Sequence, residues 1–148
     1  MAGDMDDRKS TTGVLFCLGN VPVTWQSQKQ SVVALSSCEA EYIAAASAAC
    51  QGIWLGLLLG SFYGKAPSIV TIFIDNQSAI QLCKNPVFHG RSKHIATRFH
   101  FIRESVEGGE VIVQKIHTDD QLADILTKPL GRVRFLHLRS KIGVVNIK

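Results

Sequence analysis

Residues 68–75, SIVTIFID, followed by residues 76–84, NQSAIQLCK, decide the fold. Ile69–Ile74 is a short continuous apolar run rich in β-branched residues, which reads as a buried strand. Asp75 follows it directly, and Asn76–Lys84 reads as a helix stopped by Asn85-Pro86. A strand passing through an acid into a helix is an α/β junction. In sheets of that class, ligands bind at the carboxyl ends of strands, and Asp75 sits at one.

The elements on either side extend the pattern. Upstream, Gly13–Leu18 and Val21–Gln26 read as a hairpin turned at Gly19-Asn20, with Pro22 marking an edge strand. In SSCEAEYIAA (36–45), Ser36 or Ser37 is a helix N-cap and Glu39 an acid in the first turn; the helix runs to about Gly60 or Tyr63. Downstream, Lys93–Glu107 is helical in pattern and ends at Gly108-Gly109. Glu110–Ile116 reads as a strand, Thr118 or Asp119 caps a short helix through Thr127, and a last helix spans about Val133–Lys141. Strands alternating with helices predict an α/β fold on one mixed sheet.

Three acids stand where these elements begin or end: Glu41 in the early turns of the long helix, Asp75, and Asp124 in QLADILTK (121–128). Carboxylates scattered along a chain and gathered at strand ends suit Mg²⁺. That ion is hard, prefers oxygen and is held by a few carboxylates together with water and substrate phosphates. The set therefore points to phosphodiester chemistry.

Composition bounds the rest. The 148 residues fit one domain, 46% of them are hydrophobic, and the net charge is +4. After Asp124 there is no acid, whereas Lys128, Arg132, Arg134, Arg139, Lys141 and Lys148 follow. That basic end suits a phosphate backbone or, equally, a solvated surface. None of the four cysteines, Cys17, Cys38, Cys50 and Cys83, forms a C-x-x-C pair, so they read as free buried thiols in a reducing compartment. No basic n-region precedes an apolar stretch at the N-terminus, and an intracellular, non-secreted protein is expected. Tyr42–Gly64 carries no charge and is long enough to span a bilayer, with Gly52, Gly56 and Gly60 at small-residue contact spacing. Its alanine-rich first half and sparse flanking charges favour a soluble helix packed on a sheet over a single-pass anchor.

Four stretches, taken in order, resemble a known family. They are DDRKSTTG (6–13), SSCEAEYIAA (36–45) through GIWL (52–55), IFIDNQSAI (72–80), and SKHIATRFHFIRE (92–104) followed by QLADILTKPL (121–130). Together they resemble the ribonuclease H domain at the end of the polyprotein of copia-type LTR retrotransposons, over about residues 2–143. The resemblance implies a ribonuclease H-like domain over 1–143, with 144–148 a C-terminal tail. The fold it implies is a mixed five-stranded β-sheet flanked by helices. The implied reaction is hydrolysis of the RNA strand of RNA–DNA hybrids with two Mg²⁺ ions, Mn²⁺ being an alternative. A reverse transcriptase domain of the parent polyprotein is an implied partner, and a membrane is not.

By motif match, Glu41 is the family's helix acid, Asp75 its fourth-strand acid and Asp124 its late-helix acid; Glu39 is a neighbouring candidate. The family's first strand carries a fourth acid in a pattern close to Asp-Ala-Asp-Trp-Ala-Gly. Here the sequence opens at the position of that tryptophan, as Met1-Ala2-Gly3-Asp4. The expectation is therefore a missing or incomplete first, central strand, a destabilised sheet and impaired hydrolysis, with an inactive nucleic-acid-binding remnant as the alternative. A second departure is Ala96, where the family usually has an acid.

Ser10, Thr11, Thr12, Lys29, Arg91 and Lys93 are the expected nucleic-acid contacts. His117 is a candidate for assisting product release. Structural roles are expected for His94 and His100, and core positions for Trp25 and Trp54.

Overall fold

A computed structural model describes residues 8–85 and 96–147. The chain divides into two compact units, one of Met1–Leu35 with His117–Lys148 and the other of Ser36–Ile116.

The unit Ser36–Ile116 is built on helix α1, Ser37–Tyr63. Ser36 caps it, its hydroxyl oxygen accepting from the Glu39 backbone N–H at 3.1 Å. Gly64 ends it in the left-handed conformation that glycine adopts without strain (φ 60°). Strand β3 (Val70–Ile74), helix α2 (Gln77–Lys84), helix α3 (Ala96–Glu107) and strand β4 (Val111–Lys115) follow. β3 and β4 pair in parallel, from Val70 opposite Val111 to Ile74 opposite Lys115. A parallel pair needs a long crossover, and residues 75–110 supply it. Tyr42, Ala45, Ala46 and Ala49 of α1 pack with Ile74, Ala79, Ile80, Leu82, Cys83, Ile102, Val111 and Val113 in one core. Burial pushes the Cys83 thiol up to about 12, so it fills space and is not a nucleophile.

The glycines of α1 serve close approach within this unit. A Cβ on Gly56 would lie 2.9 Å from the Ser68 carbonyl oxygen, and one on Gly60 would lie 2.8 Å from that of Lys65. The chain after α1 thus runs back along its glycine face. By length and composition α1 could also cross a membrane, and 44% of its most apolar window is buried.

The other unit is a hairpin joined to the C-terminal segment. Strands β1 (Thr11–Leu18) and β2 (Val21–Lys29) pair antiparallel, with an irregularity between Phe16 and Cys17 opposite Pro22. Thr118–Asp120 and Leu122–Leu126 form two 3₁₀ turns, and helix α4 spans Arg132–Ile142. A Cβ on Gly13 would fall 2.6 Å from Thr127 Cγ2 and 2.8 Å from the Ala123 carbonyl oxygen, so only glycine lets this segment lie against β1. The Ser27 hydroxyl donates to the Leu126 carbonyl at 2.7 Å.

The α/β class agrees with the sequence, and several details differ. The single mixed sheet expected from the element order is instead two two-stranded sheets among the described residues. The short helix expected over 118–127 is two 3₁₀ turns, because Asp120, Gln121, Asp124 and Thr127 each donate three residues back. Trp25 and Trp54, expected in the core, are 65% and 58% exposed, since no described element covers that face of β2 or the outer side of α1. All four thiols are free, as expected, yet Cys17 and Cys50 are exposed and only Cys83 is buried.

Candidate functional site

Three local features bring Glu41 and Asp75 together in the unit Ser36–Ile116. Ser36 starts α1 so that Glu41 falls in its second turn. β3 delivers Asp75 at its carboxyl end. Asn76 then caps α2, its side-chain oxygen accepting from the backbone N–H groups of Ser78 (2.9 Å) and Ala79 (3.2 Å). Asn76 also serves the acid pair, since its side-chain amide and its backbone N–H both hydrogen-bond to Glu41.

The two carboxyl groups are hydrogen-bonded to each other. Burial, followed by the Asp75 charge and that hydrogen bond, pushes Glu41 up to about 7, while the Asn76 donors pull it back down. A carboxyl that would ionise fully in water thus holds a proton near neutrality, because two close carboxylates ionise together only at high cost. Such a pair has two uses. It can exchange a proton around pH 7, or give up the shared proton to a divalent cation, whose charge removes the repulsion. Among the described residues there is no group of three or more His, Cys, Asp or Glu side chains placed to hold a metal. The donor chemistry of the pair itself, all carboxylate oxygen, fits a hard cation such as Mg²⁺.

Asp124 belongs to the other unit. It is 8% exposed, and both its ion pairs fall on one oxygen. Oδ2 accepts from Arg134 Nη2 at 2.6 Å and lies 3.0 Å from Lys128 Nζ. The same Arg134 nitrogen donates to the Thr118 carbonyl at 2.7 Å. Nearby, Lys141 Nζ pairs with Asp120, holding the Asp120 carboxyl below its ordinary range.

The other expected positions are scattered. Ser10 and Thr11 are half-buried. Thr12 is buried, and its hydroxyl oxygen accepts from Gln30 Nε2 at 3.1 Å. Lys29 is exposed. Arg91, Lys93 and His94 lie outside the described residues. His117 is exposed, and its Nδ1 accepts from the Asp119 backbone N–H at 3.3 Å. Glu39 is buried. Sequence reasoning missed Asn76 and Arg134 as site residues. The sequence reading placed Asn76 inside the helix, where an Asn at its start is also a cap signal; nothing in the spacing marked the second.

Comparison with known proteins adds the family context. No family model matches the chain, and no solved structure does. The chain is 46% identical over 146 residues to the retrovirus-related Pol polyproteins from transposons RE1 and RE2 of Arabidopsis thaliana; this covers 99% of the chain and 10% of each polyprotein. It is 44% identical over 144 residues to the retrovirus-related Pol polyprotein from transposon TNT 1-94 of Nicotiana tabacum, covering 97% of the chain and 11% of that protein. The chain thus spans about a tenth of the length of these relatives. Over nearly its whole length it is similar to one stretch of transposon-encoded, retrovirus-related Pol polyproteins.

Proposed function

We propose that the chain is the ribonuclease H segment of a retrotransposon Pol polyprotein, acting on the RNA strand of RNA–DNA hybrids. The observation that carries this reading is the hydrogen-bonded Glu41–Asp75 pair at the end of β3, with Glu41 held at about 7. The motif resemblance pointed to these two residues, and the fold brings them into contact. Similarity to Pol polyproteins from transposons supports a retrotransposon origin.

In this reading Glu41 and Asp75 would hold a divalent cation through their oxygens, with Asn76 fixing the orientation of Glu41. Mg²⁺, when bound, supplies activation of the attacking water and stabilisation of the leaving oxygen. Loss of the shared proton readies the pair for that ion. Asp124 matches the family's late-helix acid by motif alone. Discrimination of RNA from DNA rests on the 2′-hydroxyl and on hybrid groove shape.

A second reading has its own support. Helix α4 carries Arg132, Arg134, Arg139 and Lys141 with no acid, which suits a phosphate backbone. An inactive hybrid-binding module would use it without the acid pair. The deciding experiment is Mg²⁺-dependent cleavage of an RNA–DNA hybrid, with Asp75→Asn as control. Cleavage abolished by the substitution supports the nuclease. Salt-sensitive hybrid binding without cleavage, unchanged by Asp75→Asn, supports the binding module.

A further inference from the structure

We propose that the outer face of α1 is the contact through which two copies of this chain pair, helix against helix. The contact lies wholly in the unit Ser36–Ile116 and needs neither Glu41 nor Asp75.

The second half of α1 has two unlike sides. Gly52, Gly56 and Gly60 are buried, and the last two lie against the backbone of Ser68 and Lys65. Opposite them run Cys50, Trp54, Leu57, Leu58, Ser61 and Phe62, all exposed. Counted from Trp54, the last five recur at i, i+3, i+4, i+7 and i+8, the spacing of one helix face. Trp54 is 58%, Leu57 52%, Leu58 39% and Phe62 78% exposed. A row of large apolar side chains at that spacing is what a helix ordinarily turns toward a partner.

Charge and area choose the occupant. Tyr42–Gly64 carries no charged residue, so a second copy meets this face without burying an unpaired charge. A polyanion finds no cation there. A helix lying on a lipid surface carries lysines and arginines beside its apolar row, and α1 has none. The face offers on the order of 450 Å² per copy, more than half of it from the rings of Trp54 and Phe62. Two copies then bury roughly 900 Å², slightly below the ~1,000 Å² at which specific interfaces begin. That area sets a weak dimer, with Kd about 10–100 μM. A face that pairs with its own copy is used up at two chains, so no larger species forms through it.

The test is sedimentation equilibrium of the full chain across a dilution series spanning that Kd. Val23→Lys is present throughout, to suppress association through the exposed β2 row of the other unit. Leu58 stands near the middle of the α1 row, where a two-fold contact brings it close to its own counterpart. The expected result is a monomer–dimer equilibrium in which Leu58→Glu and Leu58→Lys each raise Kd about tenfold or more, since like charges then face each other. Mixing the two variants puts opposite charges together and is expected to restore dimers, as only a contact between copies does. Ser61→Lys, on the same face and near the helix C-terminus that favours a cation, is expected to weaken dimers too and serves if the Leu58 variants do not fold. Circular dichroism melts confirm folding. A monomer at every concentration, or dimers indifferent to Leu58→Glu and Ser61→Lys, would overturn the proposal. So would a monomer that cosediments with phosphatidylcholine vesicles and no longer does so with Leu58→Glu, because lipid is then the occupant.

Discussion

Glu41 and Asp75 are hydrogen-bonded through their carboxyl groups, one from the second turn of α1 and one from the end of β3. Neither acid has this partner in its own element. The contact exists because the alanine face of α1 packs on the core that contains Ile74, the residue before Asp75. Core packing therefore builds the candidate site, and the acids are charged against each other as a result.

The first consequence is a pH dependence of stability. Glu41 is raised from 4.5 to about 7 in the folded chain, so the native state binds the proton more tightly than the unfolded state. Stability from this group is fully present below about 4.5 and is lost as pH rises toward and through 7. Glu41→Gln should remove that slope and melt higher than wild type at pH 8. Parallel melts at pH 5 and pH 8 check it; equal differences between variant and wild type at both values would exclude the shared proton.

Asn76 supports both the acid pair and α2, so its loss should register twice. Asn76→Ala removes the cap of α2 and should cost about 1 kcal/mol in chemical denaturation. It also removes the side-chain amide that lowers Glu41, leaving only the backbone N–H, and the Glu41 titration should move further upward. Carboxyl carbon NMR of Glu41 reads the second effect; a titration unmoved by Asn76→Ala would show that the amide contacts carry no charge stabilisation.

Much of this was legible in the sequence, for local reasons. The Ser36 cap, the β-branched run before Asp75 and the helix stop after Lys84 each follow from a few adjacent residues, and each element stands within a residue or two of its expectation. Long-range partners left no such trace. Arg134 reaches Asp124 only because a 3₁₀ segment and a turn swing α4 back, and no periodicity encodes that path. The exposure of Trp25 could not be read either, because alternation in β2 shows two faces without showing which one is covered.

The glycines of α1 separate a packed helix from a membrane span. Gly56→Ala places a methyl 2.9 Å from the Ser68 carbonyl oxygen, a backbone atom that must move. In the packed helix this overpacking should cost about 1–3 kcal/mol. Urea denaturation of Gly56→Ala against wild type measures it. A purified chain that is soluble only in detergent and indifferent to Gly56→Ala would instead favour the membrane alternative.

The hairpin unit should associate through its open face. Val21, Val23 and Trp25, alternate residues of β2 and so on one face, are 64%, 53% and 65% exposed. Among the described residues each strand of this two-stranded sheet also keeps one edge without a ladder partner, and exposed apolar strands at sheet edges are sites of intermolecular pairing. A two-stranded sheet is at best marginally stable without further cover. The chain by itself should therefore scatter light increasingly with concentration and show no cooperative melt above about 50 °C. Val23→Lys puts a charge in the middle of the row and should lower the association without changing the Glu41 titration, which belongs to the other unit. Light scattering across a dilution series decides the matter. A monomer at every concentration, or association that Val23→Lys leaves untouched, would mean that this apolar face is not what joins the chains.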